Sequence, residues 1–193
     1  VYEDRNGSVW AATVAGISRI DFGLPLRSFD ERMGIEGSMY DILKFNNSFF
    51  ISSSEGMYQF DQKGIVEKTE FSASCGQIKE IENALYVVCG ENLYKKSLDG
   101  YQEIVNKDVL KFDKLSDKDV FVLAYEGGIW IGKETGNSIE PIYEIDADVS
   151  IPVSVYVDDL NQIWVGSTTS GLTKVVLEWE GDQVISHKVD SFF

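Results

Sequence analysis

Five stretches of the chain repeat one pattern: a short run into a polar turn, an aromatic-centred apolar run, small residues, then a Gly-led apolar run. The two clearest copies span residues 1–21 and 155–175, and three weaker copies begin at Met39, Ile78 and Leu110. The aligned aromatics are Trp10, Phe50, Tyr86, Phe121 and Trp164, separated by 40, 36, 35 and 43 residues. A period near 40 means that one supersecondary unit recurs, and it constrains the fold more than any other feature of the chain.

The unit reads as strands. Its first run ends in turns such as Asp4-Arg5-Asn6-Gly7 and Asp158-Asp159-Leu160-Asn161, where Asn and Gly tolerate positive φ and Asp bonds its own backbone. The runs that follow, at 8–12, 48–52, 85–89, 120–124 and 162–166, are short and rich in β-branched and aromatic side chains. Gly16, Gly56, Gly90, Gly127 and Gly171 then introduce a third run, and segments such as 139–145 and 184–189 supply a fourth. Four short antiparallel strands per 40 residues predict an all-β protein, a β-propeller of four-stranded blades with about five units at 1–38, 39–76, 77–108, 109–152 and 153–193. A β-sandwich also has many short strands but needs no fixed period, so it fits less well. Residues 30–44 and 106–115 have room for one helical turn each without altering the architecture.

The copies at 1–21 and 155–175 resemble the two-component regulator propeller repeat, through Asp4, Gly7, Trp10, Thr13, Gly16, Ile17 and Arg19 in the first and Asp158, Trp164, Gly166, Gly171, Leu172 and Lys174 in the last. The middle copies carry Phe or Tyr in place of Trp and lack the following Gly-Thr. The resemblance implies a periplasmic or otherwise extracytoplasmic sensor region of a Bacteroides-type hybrid two-component histidine kinase. It also implies a carbohydrate-type ligand, and a signal passed on to a membrane-linked kinase elsewhere in the parent chain. Because the chain begins inside a recognisable repeat, a fragment of a larger ring and a small five-unit ring both remain open. An open arc would expose apolar faces and strand edges to other blades or domains of the parent, or to a second copy in a homodimer.

Composition narrows the partners. With 44% apolar and 12% aromatic residues, the 193-residue chain has the material for a substantial core. Its 17 basic and 32 acidic residues give a net charge of −15, which repels phosphate backbones and anionic lipid and disfavours nucleic-acid or membrane-surface binding. No apolar run approaches the roughly 18–20 residues that a membrane-spanning helix requires. Cys75 and Cys89 are expected as buried free thiols: a turn at Asn83-Ala84 would pair Cys89 with Ile78 and leave the two sulfurs three residues out of register.

No catalytic, metal or cofactor constellation is expected. His187 is the single histidine and has no evident triad or metal set around it. The Asp4 loop fails the calcium-loop pattern, with Val9 and Ala15 where Gly and Glu would stand. The recurring acids Glu3, Asp4, Asp41, Asp113, Asp158 and Asp159 are read as turn caps, although a propeller glycosidase or lyase would need two such carboxyls facing each other in one pocket. Trp10 and Trp164 are read as packing between blades. Aromatics that break the repeat are the candidate ligand contacts: Tyr125 and Trp130 around the Glu126-Gly127-Gly128 turn, and Trp179 between Glu178 and Glu180, where alternation with these acids predicts exposure. A flat ring stacks on a sugar face while neighbouring acids bond its hydroxyls. The sequons at Asn6 and Asn46 coincide with hairpin turns. A non-catalytic sensor is the leading reading, with a secreted protein-interaction scaffold as the alternative and a propeller enzyme third.

Overall fold

The computed structural model describes residues 34–60 and 65–192 in full, and, before them, the backbone of three strands. The chain forms two compact units, Val1–Met33 and Gly34–Phe193. In the first, β1 (Tyr2–Glu3), β2 (Ser8–Thr13) and β3 (Gly16–Asp21) make an antiparallel sheet in chain order, with Trp10 opposite Tyr2 and Arg19. The turn at Asn6, the acids Glu3 and Asp4 as site candidates, and the packing of the Trp10 side chain lie outside the described residues.

The second unit contains four four-stranded antiparallel sheets, each a meander in chain order. They are β4 (Met39–Phe45), β5 (Ser48–Ser53), β6 (Gly56–Phe60) and β7 (Val66–Lys68); β8 (Cys75–Ile81), β9 (Ala84–Cys89), β10 (Asn92–Ser97) and β11 (Gly100–Val105); β12 (Lys111–Leu115), β13 (Val120–Tyr125), β14 (Gly128–Thr135) and β15 (Ser138–Asp146); and β16 (Pro152–Val157), β17 (Ile163–Ser167), β18 (Leu172–Glu180) and β19 (Gln183–Phe192). No helix occurs among the described residues: 39–45 and 111–115, where helical turns had room, are the first strands of their sheets. Tight turns set the registers. Asn46 and Asn47, at φ 44° and 64°, join β4 to β5, and Glu82 and Asn83, at 51° and 62°, join β8 to β9.

Alternation along each strand gives every sheet two apolar faces, and consecutive sheets pack face to face. Phe45, Phe50 and Met57 meet Cys75, Ile78, Leu85, Val87 and Cys89 between the first two four-stranded sheets. Tyr86, Val88 and Leu93 meet Phe112, Phe121, Leu123 and Trp130 across the next interface. Val120, Val122 and Ile131 meet Val155, Ile163, Val165 and Val175 across the last. Burying each of Phe50, Phe112 and Phe121 contributes about 2 kcal/mol. The repeat slips by one position in the third of these sheets: Phe50 and Tyr86 face the following sheet, whereas Phe121 faces the preceding one and Val120 and Val122 take the forward face. Trp164 does not enter the interface with the preceding sheet. Ile163 and Val165 turn toward the β12–β15 sheet, and Trp164 lies on the opposite face, half-buried, stacked on Phe192 with ring centroids 6.2 Å apart.

The first strands of the sheets are clasped together by side chains. Asp41 Oδ2 accepts from the Ile78 amide at 2.9 Å. Gln77 bonds both backbone groups of Phe112, accepting from N–H at 2.8 Å and donating to C=O at 3.1 Å. Asp113 Oδ2 accepts from the Val157 amide at 3.0 Å, while its Oδ1 pairs with Lys79 Nζ at 2.5 Å. These acceptors satisfy edge amides that the sheets themselves leave open. Asp41 and Asp113 are therefore not turn caps. Asp158 does fill that role: its Oδ1 accepts from the Leu160 and Gln162 amides, and its Oδ2 accepts from Trp164 Nε1 at 2.8 Å.

Cys75 and Cys89 form a disulfide, which corrects the expectation of free thiols. The hairpin turns at Glu82-Asn83, one residue earlier than Asn83-Ala84, and a bulge between Cys75 and Ile78 absorbs the remaining offset. Cys75 then stands directly opposite Cys89, with Cα atoms 4.0 Å apart.

Candidate functional site

One end of the β8–β11 and β12–β15 sheets carries an acid-rimmed cavity of about 340 Å³, lined by Glu91, Asp108, Leu110, Tyr125 and Glu126. Its walls follow from local sequence. After Cys89 the chain must reverse in two residues, and Gly90 and Glu91 do so at φ 57° and 67°. The Gly90 amide donates to Ser74 C=O at 2.9 Å, and Glu91 C=O accepts from the Val109 amide at 2.7 Å, which fixes the segment carrying Asp108 against the turn. The Leu110 amide bonds Ala124 C=O at 2.9 Å and brings Leu110 beside Tyr125.

Tyr125 ends β13 opposite Gly128. A Cβ at position 128 would lie 2.5 Å from Ile145 C=O and 2.8 Å from the Tyr125 hydroxyl, so only glycine lets the phenol pass. The hydroxyl donates to Glu144 Oε1 at 2.7 Å. Burial, the hydrogen bond to Glu144 and the charges of Glu144 and Asp146 push its pKa up to about 12. The phenol is thus neutral and its proton committed to Glu144, which leaves the ring and Leu110 as apolar surface and the carboxylates of Glu91, Asp108 and Glu126 as exposed acceptors. Such a site can hold a hydroxyl-rich ring by stacking and by accepting its O–H groups.

The three aromatic candidates do not converge. Tyr125 lines the cavity. Trp130 is 1% exposed inside the interface between the β8–β11 and β12–β15 sheets, with Lys107 Nζ 5.2 Å from its ring centroid, so it offers no face to a ligand in this arrangement. Trp179 packs against the other interface, beyond β13 and β14, with Lys118 Nζ 5.3 Å over its ring. Exposure had been expected for Trp179, but the alternation that points Val175 and Leu177 inward carries to position 179. His187 is exposed, its Nδ1 3.0 Å from the Tyr143 hydroxyl. Sequence reasoning missed Glu91, Asp108 and Leu110, although the Cys-Gly-Glu turn carried a signal for the first.

Among the described residues Asp113 is the one buried carboxylate, and Lys79, Val157 and the Lys114 amide occupy its oxygens. No three His, Cys, Asp or Glu side chains converge as a metal set among those residues. No described helix is long and apolar enough to cross a membrane.

No protein-family model matches the chain, and no curated protein matches it in sequence. Solved structures do. The extracellular domain of the one-component system BT4673 from B. thetaiotaomicron matches at TM-score 0.65 and 14% identity, over 100% of this chain and 29% of its own. The extracellular domain of the hybrid two-component system BT3049 from the same organism matches at 0.64 and 13%, over 97% and 27%. Virginiamycin B lyase from Staphylococcus aureus matches at 0.60 and 14%, over 99% and 68%. The chain thus spans under a third of the length of either extracellular domain. WD40 propellers are also among the matches. At these identities the likeness establishes architecture, and the sheets described above are the blades of a β-propeller.

Proposed function

We propose that the chain is a non-catalytic, extracytoplasmic sensor module of a two-component signalling system. In this reading it receives a carbohydrate-type ligand and passes the event to a membrane-linked histidine kinase by rigid-body motion. The observation that carries the reading is the match, along its whole length, to an extracellular domain of a bacterial signalling protein. The Cys75–Cys89 disulfide supports the compartment, since such bonds persist where the surroundings are oxidising. The Tyr125 cavity supports the ligand class, with an aromatic and an aliphatic surface below carboxylate acceptors.

The test is thermal melting of the 193-residue chain against a panel of neutral oligosaccharides. A ligand present at about 100 times its Kd stabilises the fold by about 2.7 kcal/mol. A raised melting point that Tyr125→Ala abolishes is expected. The absence of any shift across the panel would remove the carbohydrate part of the reading.

A second reading, a protein-interaction scaffold, draws on the last sheet. Tyr156 is 58% exposed and Phe192 49% exposed, with Trp164 half-buried alongside. That apolar face is the kind of surface that docks another protein or another blade. Co-purification of a partner lost on Tyr156→Ser, without any small-ligand shift, would favour it.

A further inference from the structure

The Cys75–Cys89 disulfide closes the end of the β8–β9 hairpin from which one wall of the Tyr125 cavity hangs. Cys89 runs straight into the turn residues Gly90 and Glu91, and the Gly90 amide bonds C=O of Ser74, the neighbour of Cys75, at 2.9 Å. Glu91 lines the cavity, and its C=O holds the Val109 amide, beside Asp108, at 2.7 Å. The opposite wall, Leu110 and Tyr125, is positioned by β13 and makes no use of this hairpin.

Glu91 is the strained member of the arrangement. It stands at φ 67°, a left-handed backbone unfavourable to any residue with a Cβ, at the second position of a two-residue turn where Gly is preferred. Residue type opposes that conformation, and the cross-link at the preceding strand end restrains it. Cys75 and Cys89 are 0% and 2% exposed, but their cover is thin. Ser72, Ala73, Ser74 and Gly90 are all exposed. Ala73 C=O lies 3.5 Å from Cys75 Sγ, and a Cβ on Gly90 would stand 3.3 Å from the Ala73 methyl. Displacing this short strip bares the bond without parting the sheets.

We propose that the Cys75–Cys89 disulfide is a redox control on the Tyr125 cavity. Closed, it holds Glu91 and Asp108 on the rim; opened by a dithiol reductant, it lets Glu91 leave the left-handed region and the rim loosens. A thiolate of the dithiol attacks Cys75 Sγ and expels the Cys89 thiolate. The second thiolate of the dithiol then attacks the dithiol sulfur of the mixed disulfide and expels the Cys75 thiolate. Two electrons and two protons pass to the chain, and the dithiol becomes a disulfide. Control of ligand binding rests on the reading of this cavity as a sugar site, whereas the loosening of its rim does not.

The test is native reduction of the 193-residue chain with dithiothreitol, following thiols by alkylation and the fold by tryptophan fluorescence. Thiols should appear while the fluorescence stays native. In the reduced chain the Gly90 and Val109 amides should exchange about tenfold faster or more, while Leu110, held by Ala124 C=O, stays protected. In Glu91→Gly the turn is unstrained, so reduction should leave Val109 protected. Thiols that appear only as the native fluorescence is lost, unchanged exchange at Gly90 and Val109, or equal acceleration in Glu91→Gly would each overturn the proposal. Shift titration of both redox forms with maltotriose, cellotriose, xylotriose and mannotriose completes it. A sugar that perturbs Tyr125 should bind the reduced chain more weakly, and equal binding would overturn the control. If no sugar binds either form, the carbohydrate reading fails, and the exchange result alone decides the redox one.

Discussion

Asp113 joins three sheets with one carboxylate: Lys79 from β8, its own strand, and the Val157 amide from β16. Replacing it with Ala strands an ammonium and an edge amide that water reaches poorly, so Asp113→Ala should lower unfolding free energy by about 3 kcal/mol. A falling urea midpoint at constant m-value is the expected readout, and an unchanged midpoint would show that the clasp contributes nothing. Tyr125 gives a second residue-scale prediction. Its folded pKa, about 12, lies above the ordinary phenol value of 10, so the folded state keeps the proton longer. Its contribution to stability is complete below about pH 10 and is lost as pH rises through about 12. Tyr125→Phe should flatten that part of the stability curve. Tyr125 was legible because it breaks the repeat beside a Glu-Gly-Gly turn. Trp130 flanks the same turn and Trp179 stands between two glutamates, yet β14 and β18 carry both side chains into interfaces.

At the scale of the element, the β8–β9 hairpin shows how one residue decides a disulfide. Shifting the turn from Asn83-Ala84 to Glu82-Asn83, and adding one bulge, converts two thiols three positions out of register into a facing pair. Neither shift could be read from residue types, because Glu rarely takes positive φ. Closing a loop of 14 residues stabilises the fold by about 3 kcal/mol, so Cys75→Ser with Cys89→Ser should melt markedly lower. The same hairpin carries Glu91 through Gly90, so the double variant should also speed amide exchange at Val109, whose N–H bonds Glu91 C=O. In β14 the close approach of Ile145 C=O and Tyr125 to Gly128 predicts that Gly128→Ala costs about 1–3 kcal/mol, measurable by the same urea titration.

Across the whole molecule, the period of the sequence carried most of what was legible. A 40-residue recurrence of short runs and turns specifies antiparallel four-stranded units, and strands at 48–53, 84–89, 120–125 and 163–167 stand where the aromatic runs lie. The period does not say which face a residue serves. Phe121 therefore aligned with Tyr86 by spacing yet turned the other way, and the clasps of Asp41, Gln77 and Asp113 were hidden because they join separate sheets. Likewise a cavity built from the turns of two neighbouring sheets has no contiguous motif, which is why Glu91, Asp108 and Leu110 went unseen beside Tyr125. The net charge of −15 fits the acceptor-rich rim and sets the expectation that the site prefers neutral, hydroxyl-bearing ligands. Amide chemical-shift mapping of the chain with a library of neutral oligosaccharides tests this directly. The account predicts that at least one of them perturbs Glu91, Leu110 and Tyr125 together and leaves Trp130 and Trp179 in place. Saturating oligosaccharide that moves none of the three, or that perturbs only the exposed face of the β16–β19 sheet, would contradict it.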